Sequence, residues 1–202
     1  MITVYHSPGT RGIRAIWLCE ELDIEYVVKR IDFSKEYRMS EDWLNINPLG
    51  KVPSLRDGSL LMFESCAMMQ YLLDRYGKGQ LQPLPGSLDH ALFLQWLWFS
   101  EATFARPIGE IVNHRREFPG DLEYPDVVEE MKSRTIKCTL AVDNALQDRD
   151  FILGNEFSAA DISLGYTIRA AKRVLGVKLA DRVESYFDTL SRRVGFKVAV
   201  DF

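Results

Sequence analysis

Cysteine and histidine are scarce in this chain, which has three of each among its 202 residues. Cys19, Cys66 and Cys138 are an odd number without CxxC spacing, and the three histidines are scattered, so the sequence indicates neither a disulfide framework nor a metal site. Thiols that are not organised into pairs are typical of a reducing compartment. We therefore expect a cytoplasmic protein that holds no metal.

Long hydrophobic runs and a leader segment are also missing. The longest apolar stretch, residues 91–99, is interrupted by Gln95 and is far shorter than the roughly 20 residues that a membrane-spanning helix needs. The N-terminus enters a strand-like run at once, without a charged segment followed by an apolar one. The sequence thus predicts a protein that is neither membrane-bound nor exported.

An excess of positive charge is absent as well. The formal net charge is −4, which argues against a nucleic-acid partner held through its phosphates. Hydrophobic residues make up 47% of the chain and charged residues 27%, and these ordinary values predict a globular protein. Its length suits one large domain or two smaller ones with a sizeable core.

The N-terminal part of the chain, residues 1–77, has the pattern of an α/β domain. The predicted elements are strand 2–5, helix 13–22, strand 24–31, strand 52–55, strand 60–63 and helix 64–76. The first three predict a parallel pair joined by a right-handed crossover. Asp57-Gly58 lies between the last two strands and is a strong hairpin signal. The predicted order is therefore βαβ followed by ββα.

Residues 78–87 are rich in glycine and proline and predict a linker, after which residues 88–202 predict an all-helical domain. The predicted helices are 88–117 with a kink at Pro107, 125–147 with Pro125 in its first turn, 158–174, and 181–193. Ser158 and Asp161 have the spacing of a capping box at the start of the third helix, where Phe157 and Ile162 could pack together.

Two short motifs indicate a site for a small anionic ligand. In Asn47-Pro48-Leu49-Gly50-Lys51-Val52-Pro53-Ser54-Leu55, a proline sits where a turn meets a short apolar run, and we expect a cis Val52-Pro53 bond there. Glu64-Ser65 opens a helical pattern, so Ser65 is expected in a first turn, where free N–H groups and the helix dipole favour a carboxylate.

These motifs together resemble the glutathione-binding half of the glutathione transferase superfamily, and the likeness extends along nearly the whole chain; it is similar to bacterial and fungal theta-like or beta-like members. The resemblance implies an N-terminal thioredoxin-like domain, a C-terminal α-helical bundle domain and a homodimer. It also implies glutathione as cosubstrate, and it assigns these residues to glutathione: Arg38, Lys51, Val52, Pro53, Glu64 and Ser65.

Each of these assignments has a plainer alternative. Val52 would pair through its backbone with the cysteinyl part of glutathione, as a strand would. Glu64 would face the glutamyl ammonium and Ser65 the carboxylate, but the pair could also be an ordinary helix cap. Arg38 resembles the residue that pairs with the glycyl carboxylate in theta-like members, but it could equally be a solvated surface residue. Lys51 has the stronger case because its neighbours carry the motif, although solvated lysines are common.

The reactive species would be the thiolate of glutathione, whose thiol has a pKa of about 8.5 to 9. Lowering that pKa by about two units corresponds to roughly 2.7 kcal/mol, which one hydroxyl hydrogen bond and a helix N-terminus can supply. Residues 10–17 resemble the Ser-Arg-Ser-x-Arg-x-x-Trp pattern of some members, which puts Thr10 in the catalytic position. Ser7 and Tyr5 are the other candidates, and the loop hydroxyls could simply bond to turn backbone.

An electrophile pocket would need apolar walls, which the long helix after the linker could supply. Phe104, Glu101 and Arg106 are the candidate residues on that helix, although aromatic side chains there could be core and the charged ones could face solvent.

The sequence therefore predicts a transferase of the detoxification type, in which glutathione thiolate attacks an electrophilic carbon or a peroxide. Two alternatives remain: a glutathione-dependent disulfide reductase, which needs no protein cysteine, and a non-catalytic transferase-like binding or assembly module.

Overall fold

The computed structural model describes residues 1–176 and 178–202, and within them the chain divides into two compact units. Unit 1 comprises Met1–Leu81 and Ser191–Phe202, and unit 2 comprises Gln82–Leu190. This division differs from the predicted domain 88–202, because the last helix belongs to unit 1.

Unit 1 contains a four-stranded sheet in the described residues, with the strand order β2-β1-β3-β4. Its strands are β1 (Ile2–His6), β2 (Tyr26–Arg30), β3 (Ser54–Asp57) and β4 (Leu60–Phe63). Strand β1 pairs in parallel with β2 and antiparallel with β3, and β3 pairs antiparallel with β4. The predicted βαβ–ββα order of a thioredoxin-like domain is thus confirmed, and Gly58 turns the hairpin with a φ of 57°.

The helices of unit 1 are α1 (Gly12–Glu21), α2 (Lys35–Arg38), α3 (Glu41–Leu44), α4 (Ser65–Tyr76) and α10 (Val194–Asp201). Helices α2 and α10 were not predicted from the sequence. Helix α10 packs on α1, where the rings of Trp17 and Phe196 meet edge to face with centroids 5.0 Å apart. A side chain at Gly195 would put its Cβ 2.8 Å from the Trp17 ring, so glycine permits this close approach. Arg193 then clamps Glu21 with a hydrogen bond of 2.6 Å.

Unit 2 is helical, with α5 (Leu88–Trp98), α6 (Ala105–Glu117), α7 (Pro125–Leu146), α8 (Ala159–Leu175) and α9 (Asp181–Ser191). The predicted helix 88–117 is interrupted earlier than at Pro107, by a π-helical segment, Phe99–Phe104, that widens the turn before the proline. Since Pro107 has no N–H, the carbonyl of Thr103 lacks its usual helical donor, and the Cys138 thiol lies 3.9 Å from it.

The predicted capping box of α8 is confirmed. The side chains of Ser158 and Asp161 bond reciprocally to the backbone of the first turn. The fully buried Asp161 carboxylate also accepts hydrogen bonds from the Ile152 N–H at 2.8 Å and the Tyr186 hydroxyl at 2.7 Å. This box fixes the start of a mostly buried helix at the centre of unit 2.

None of the helices in residues 1–176 and 178–202 combines the length and the apolar character that crossing a bilayer requires.

Candidate active site

Three segments carrying predicted site residues meet at one end of the sheet in unit 1. Tyr5 of β1 pairs with Ser54 of β3, and Ser54 pairs with Phe63 of β4. Because both pairings are antiparallel, the loop after β1, the turn before β3 and the helix after β4 all lie at the same end. The fold therefore brings together loop 7–12, the turn 47–53 and the N-terminus of α4.

The turn before β3 is held by Asn47, which is buried. Its side-chain amide donates to the Ser54 hydroxyl at 3.1 Å and its carbonyl oxygen accepts from the Leu49 N–H at 3.1 Å. The Val52-Pro53 peptide bond is cis, as the sequence predicted. Val52 precedes Ser54, the first residue of β3 that pairs with a neighbouring strand, so the backbone of Val52 lies beyond the ladder.

Arg38 lies against this turn. Its guanidinium donates to the carbonyls of Gly50 at 3.2 Å and Phe33 at 3.0 Å, and it stacks over the Phe33 ring at 4.6 Å. Gly50 has a φ of 60° and leaves no room for a Cβ, which would lie 2.7 Å from the Arg38 carbonyl. Arg38 is thus brought next to exposed Lys51, and both remain partly or fully accessible to solvent.

The N-terminus of α4 lacks a side-chain cap. Glu64 occupies the N-cap position with φ 75° and ψ 103°, and its side chain makes no capping hydrogen bond. Ser65 is the first helical residue and is buried. An ordinary helix cap, the alternative weighed from sequence, is therefore not what this pair forms. A non-glycine residue at positive φ costs free energy and is found most often at functional sites.

Arg14 lies beneath this helix start and was not singled out from the sequence. It is fully buried on α1, and its Nη1 donates to the Ser65 hydroxyl at 3.0 Å. The signals for it were an arginine in the middle of an apolar helical run and its place as the second arginine of the pattern that residues 10–17 resemble. Its charge, next to the positive end of the α4 dipole, increases the attraction of this site for an anion.

Thr10 lies in the loop after β1. Its hydroxyl donates to the Ser7 carbonyl at 2.7 Å, and its Oγ1 is 3.4 Å from Nδ1 of His6. The Ser7 side chain is buried, whereas Thr10 is half-buried. The residue before α1, Arg11, provides no side-chain cap, and the N–H groups of Ile13 and Arg14 donate to the carbonyls of Thr10 and Arg11 instead.

Tyr5 has other partners. Its hydroxyl accepts a hydrogen bond from Nε of Arg56 at 3.3 Å, and its ring packs edge-on against Trp43 with centroids 5.9 Å apart. Tyr5 is buried in this arrangement. These contacts explain Tyr5 as part of the core of unit 1.

The three candidate pocket residues of unit 2 have different surroundings. Phe104 is fully buried and packs against Phe99, with centroids 6.1 Å apart, and Glu101 is half-buried. Arg106 is exposed and lines a cavity of about 820 Å³ between α6 and α7, which Glu101 and Phe104 do not line. The apolar part of its wall includes Met131 and Phe118.

The described residues contain no group of three or more His, Cys, Asp or Glu side chains that could hold a metal ion. No disulfide joins the three cysteines within the described residues, and all three are buried.

Comparison with known proteins identifies the family. The model of the glutathione S-transferase N-terminal domain matches residues 1–74. Glutathione S-transferase 1 of Schizosaccharomyces pombe is 30% identical over 180 residues, which cover 78% of this chain and 70% of that protein. The disulfide-bond oxidoreductase YfcG of Escherichia coli is 25% identical over 170 residues, covering 81% and 77%.

The fold is shared with solved transferases. The glutathione transferase URE2P8 of Phanerochaete chrysosporium, crystallised with oxidised glutathione, superposes with a TM-score of 0.88 at 21% identity and covers 99% of this chain and 93% of its own. The chain therefore belongs to the glutathione S-transferase family of enzymes.

Proposed function

We propose that this protein binds glutathione at the end of the sheet in unit 1 and stabilises its thiolate for attack on a small electrophile. The proposal rests on the start of α4, which has no side-chain cap. It lies at the same end of the sheet as the turn 47–53, whose Val52 backbone is not paired with the described strands of the sheet, and the loop that contains Thr10. The family membership supports the same ligand.

The glutamyl end of glutathione would sit at the N-terminus of α4. Its carboxylate would accept hydrogen bonds from the free N–H groups and from the Ser65 hydroxyl, with the buried charge of Arg14 behind them. The exposed carboxylate of Glu64 would pair with the glutamyl ammonium. A ligand that carries both charges therefore matches the site better than a simple anion does.

The rest of the tripeptide would follow the turn before β3. Its cysteinyl backbone would pair with the N–H and C=O of Val52 as an added strand, and Pro53 would shape the turn. Arg38 and Lys51 would meet the glycyl carboxylate, since both are cationic and border Gly50. An extended peptide with an acid at each end thus spans the three converging segments.

The thiol would lie at Thr10. The Thr10 hydroxyl donates to the Ser7 carbonyl, and rotation about its Cβ–Oγ1 bond would aim the same proton at a sulfur anion. The start of α1 adds a positive dipole end. Ser7 remains a candidate, but its burial makes it the weaker one, and the contacts of Tyr5 with Arg56 and Trp43 make Tyr5 weaker still.

The proposal is tested by calorimetry with glutathione, followed by ultraviolet titration of the bound thiol. Thr10→Ala should raise the bound-thiol pKa by about one to two units, since it removes the donor, while Thr10→Ser keeps the hydroxyl and should remain near wild type. S-methylglutathione has no ionisable thiol and should bind both variants alike. An unchanged thiol pKa in Thr10→Ala rejects Thr10 as the donor.

A second candidate is a glutathione-dependent disulfide reductase, which the similarity to YfcG favours. One glutathione thiolate would attack a disulfide and release a thiolate, and a second glutathione would displace the remaining thiol to give oxidised glutathione. Parallel assays with a low-molecular-weight disulfide, a peroxide and an aryl halide distinguish the reactions. Cys19→Ser, Cys66→Ser and Cys138→Ser should leave the disulfide activity intact, because buried thiols do not take part.

The electrophile, the assembly and the location are further parts of the proposal. The cavity lined by Arg106 would suit an apolar compound that carries an acid group.

Leu88 and Leu92 lie one turn apart on α5 and are 87% and 49% exposed, which supports a homodimer contact. Cytoplasmic detoxification is consistent with three free cysteines. Light scattering at micromolar concentration tests the dimer, and Leu88→Glu should weaken it.

A further inference from the structure

His6 is the last residue of β1 and lies directly beneath Thr10. It is fully buried, and its Nδ1 is 3.4 Å from the Thr10 hydroxyl oxygen. The ring fits there because residue 12 is glycine: a Cβ at that position would lie 2.3 Å from Nδ1. The start of α1 is therefore packed against the imidazole on the side that faces Thr10.

The imidazole is neutral at physiological pH. Burial, with a smaller effect from the positive charge of Arg30, lowers the pKa of His6 from 6.5 to about 4. A neutral imidazole has one N–H group and one nitrogen lone pair, so the position of its single proton decides what His6 offers to Thr10.

Two observations favour Nδ1 as the position of that proton. The Thr10 hydroxyl already donates its hydrogen to the Ser7 carbonyl, so towards His6 its oxygen has only lone pairs and needs a donor. At the other end of the ring, Nε2 is buried and makes no hydrogen bond within the described part of the chain. A buried nitrogen lone pair is tolerated more readily than a buried N–H without an acceptor.

We infer that His6 is a positioning residue that donates from Nδ1 to the Thr10 oxygen and so reserves the Thr10 proton for the glutathione sulfur. This inference rests on the proposed function and adds a residue to it. With Nδ1 protonated, the imidazole cannot accept the Thr10 proton and cannot compete with the thiolate for it. A donor behind the hydroxyl also polarises it, because successive hydrogen bonds strengthen one another.

The opposite tautomer would have the opposite effect. If Nδ1 carried the lone pair, it would accept the Thr10 hydrogen and leave the sulfur anion without its donor. The location of one proton on a buried ring therefore decides whether Thr10 can stabilise the thiolate.

The tautomer can be measured directly in the wild-type protein. Nitrogen NMR of ¹⁵N-histidine-labelled protein distinguishes protonated Nδ1 from protonated Nε2, and the His6 signals are assigned by their loss in His6→Asn. The inference expects His6 as the Nδ1–H form near pH 7, whereas His90 and His114 serve as internal references. A His6 ring in the Nε2–H form overturns it.

The functional consequence is tested with two matched variants in the presence of saturating glutathione. His6→Leu removes the donor and should raise the bound-thiol pKa by about half a unit to one unit. His6→Asn can present an amide N–H near the position of Nδ1 and should recover at least half of that shift. In a Thr10→Ala background, His6→Leu should add no further shift, because the pathway through the hydroxyl is gone.

Failure of this inference differs from failure of the proposed function. If wild-type protein does not lower the glutathione thiol pKa, the proposed function fails. If wild type lowers it and Thr10→Ala raises it, but His6→Leu leaves it unchanged or shifts it equally with and without Thr10, the role of His6 alone is rejected. Circular dichroism establishes whether each variant is folded. If His6→Leu does not fold, the tautomer of His6 in the wild-type protein tests the role of His6 instead.

Discussion

Two helix starts in this molecule show opposite solutions to the same backbone problem. Helix α8 begins with a capping box, in which the side chains of Ser158 and Asp161 each accept a hydrogen bond from the other's backbone N–H. Helix α4 begins at Glu64, which has a positive φ and provides no side-chain cap. The first start is closed by the protein itself, and we propose that the second binds a ligand that brings its own acceptor.

The same contrast holds for buried titratable groups. In unit 2 the Asp161 carboxylate accepts hydrogen bonds from Ile152, Ser158 and Tyr186. In unit 1 the His6 imidazole has a buried nitrogen that makes no hydrogen bond within residues 1–176 and 178–202. The carboxylate of Asp161 is thus held by several donors inside unit 2, whereas the His6 ring lies beside the proposed thiol site with one nitrogen unsatisfied by any described residue.

The largest expected effect comes from opening the closed helix start. Asp161→Ala would leave several buried donors without an acceptor, and we expect the free energy of unfolding to fall by about 3 to 5 kcal/mol. Asp161→Asn retains one acceptor oxygen and should lose less. Urea denaturation followed by far-ultraviolet circular dichroism measures both, and a loss below about 1 kcal/mol for Asp161→Ala would contradict this account of the box.

The free energy of unfolding should decrease in acid because His6 is buried in its neutral form. The pKa of His6 is lowered from 6.5 to about 4 in the folded protein, so the unfolded state binds more protons between these two pH values. The free energy of unfolding therefore falls as the pH drops from 6.5 to 4. Above pH 6.5 this group leaves the stability unchanged. The contribution is about 3 kcal/mol in total. His6→Asn should therefore lose less stability than wild type between pH 7 and pH 4, and parallel slopes would contradict the prediction.

The strained residue at the open helix start should show a trade between stability and binding. Glu64→Gly removes the cost of a side chain at positive φ and should raise the free energy of unfolding by about 1 kcal/mol. The same change removes the proposed partner of the glutamyl ammonium and should weaken glutathione binding about tenfold, which corresponds to about 1.4 kcal/mol. Thermal melts and calorimetry measure the two effects, and a stabilised variant with unchanged affinity would remove Glu64 from the site.

The smallest effect is expected from the matched change at the closed start. Ser158→Ala should lower the free energy of unfolding by about 1 kcal/mol through the lost cap, without changing the affinity for glutathione of the folded protein. The variant is thus the control for Glu64→Gly. A change in the affinity for glutathione, measured under conditions where the variant is fully folded, would show that the two helix starts do not have separate roles.

The sequence was sufficient wherever a structural feature is local. Asp57-Gly58 determines its hairpin, Ser158 and Asp161 determine the start of α8, and Val52-Pro53 marks the turn, because each depends on residues only a few positions apart. The order of strands and helices along the N-terminal part of the chain followed from the alternation of short periodic segments. These features needed no knowledge of the packing.

The remaining features depend on long-range packing. The hydrogen bond from Arg14 to Ser65 joins residues 51 positions apart, and it exists because of how the first helix of unit 1 packs near α4. Helix α10 packs in unit 1 through the contact of Trp17 with Phe196. No local sequence pattern near residue 196 predicts this contact. His6 and Thr10 are only four positions apart in the sequence, but the role inferred for His6 depends on its burial, which only the fold reveals.

The central claim is that glutathione binds to unit 1 and ionises there, and ultraviolet difference titration of the wild-type complex tests it most directly. We predict saturable binding and an apparent thiol pKa about two units below that of free glutathione, near 7. A thiol that titrates as it does in free solution, in a folded protein with millimolar glutathione present, would contradict the account.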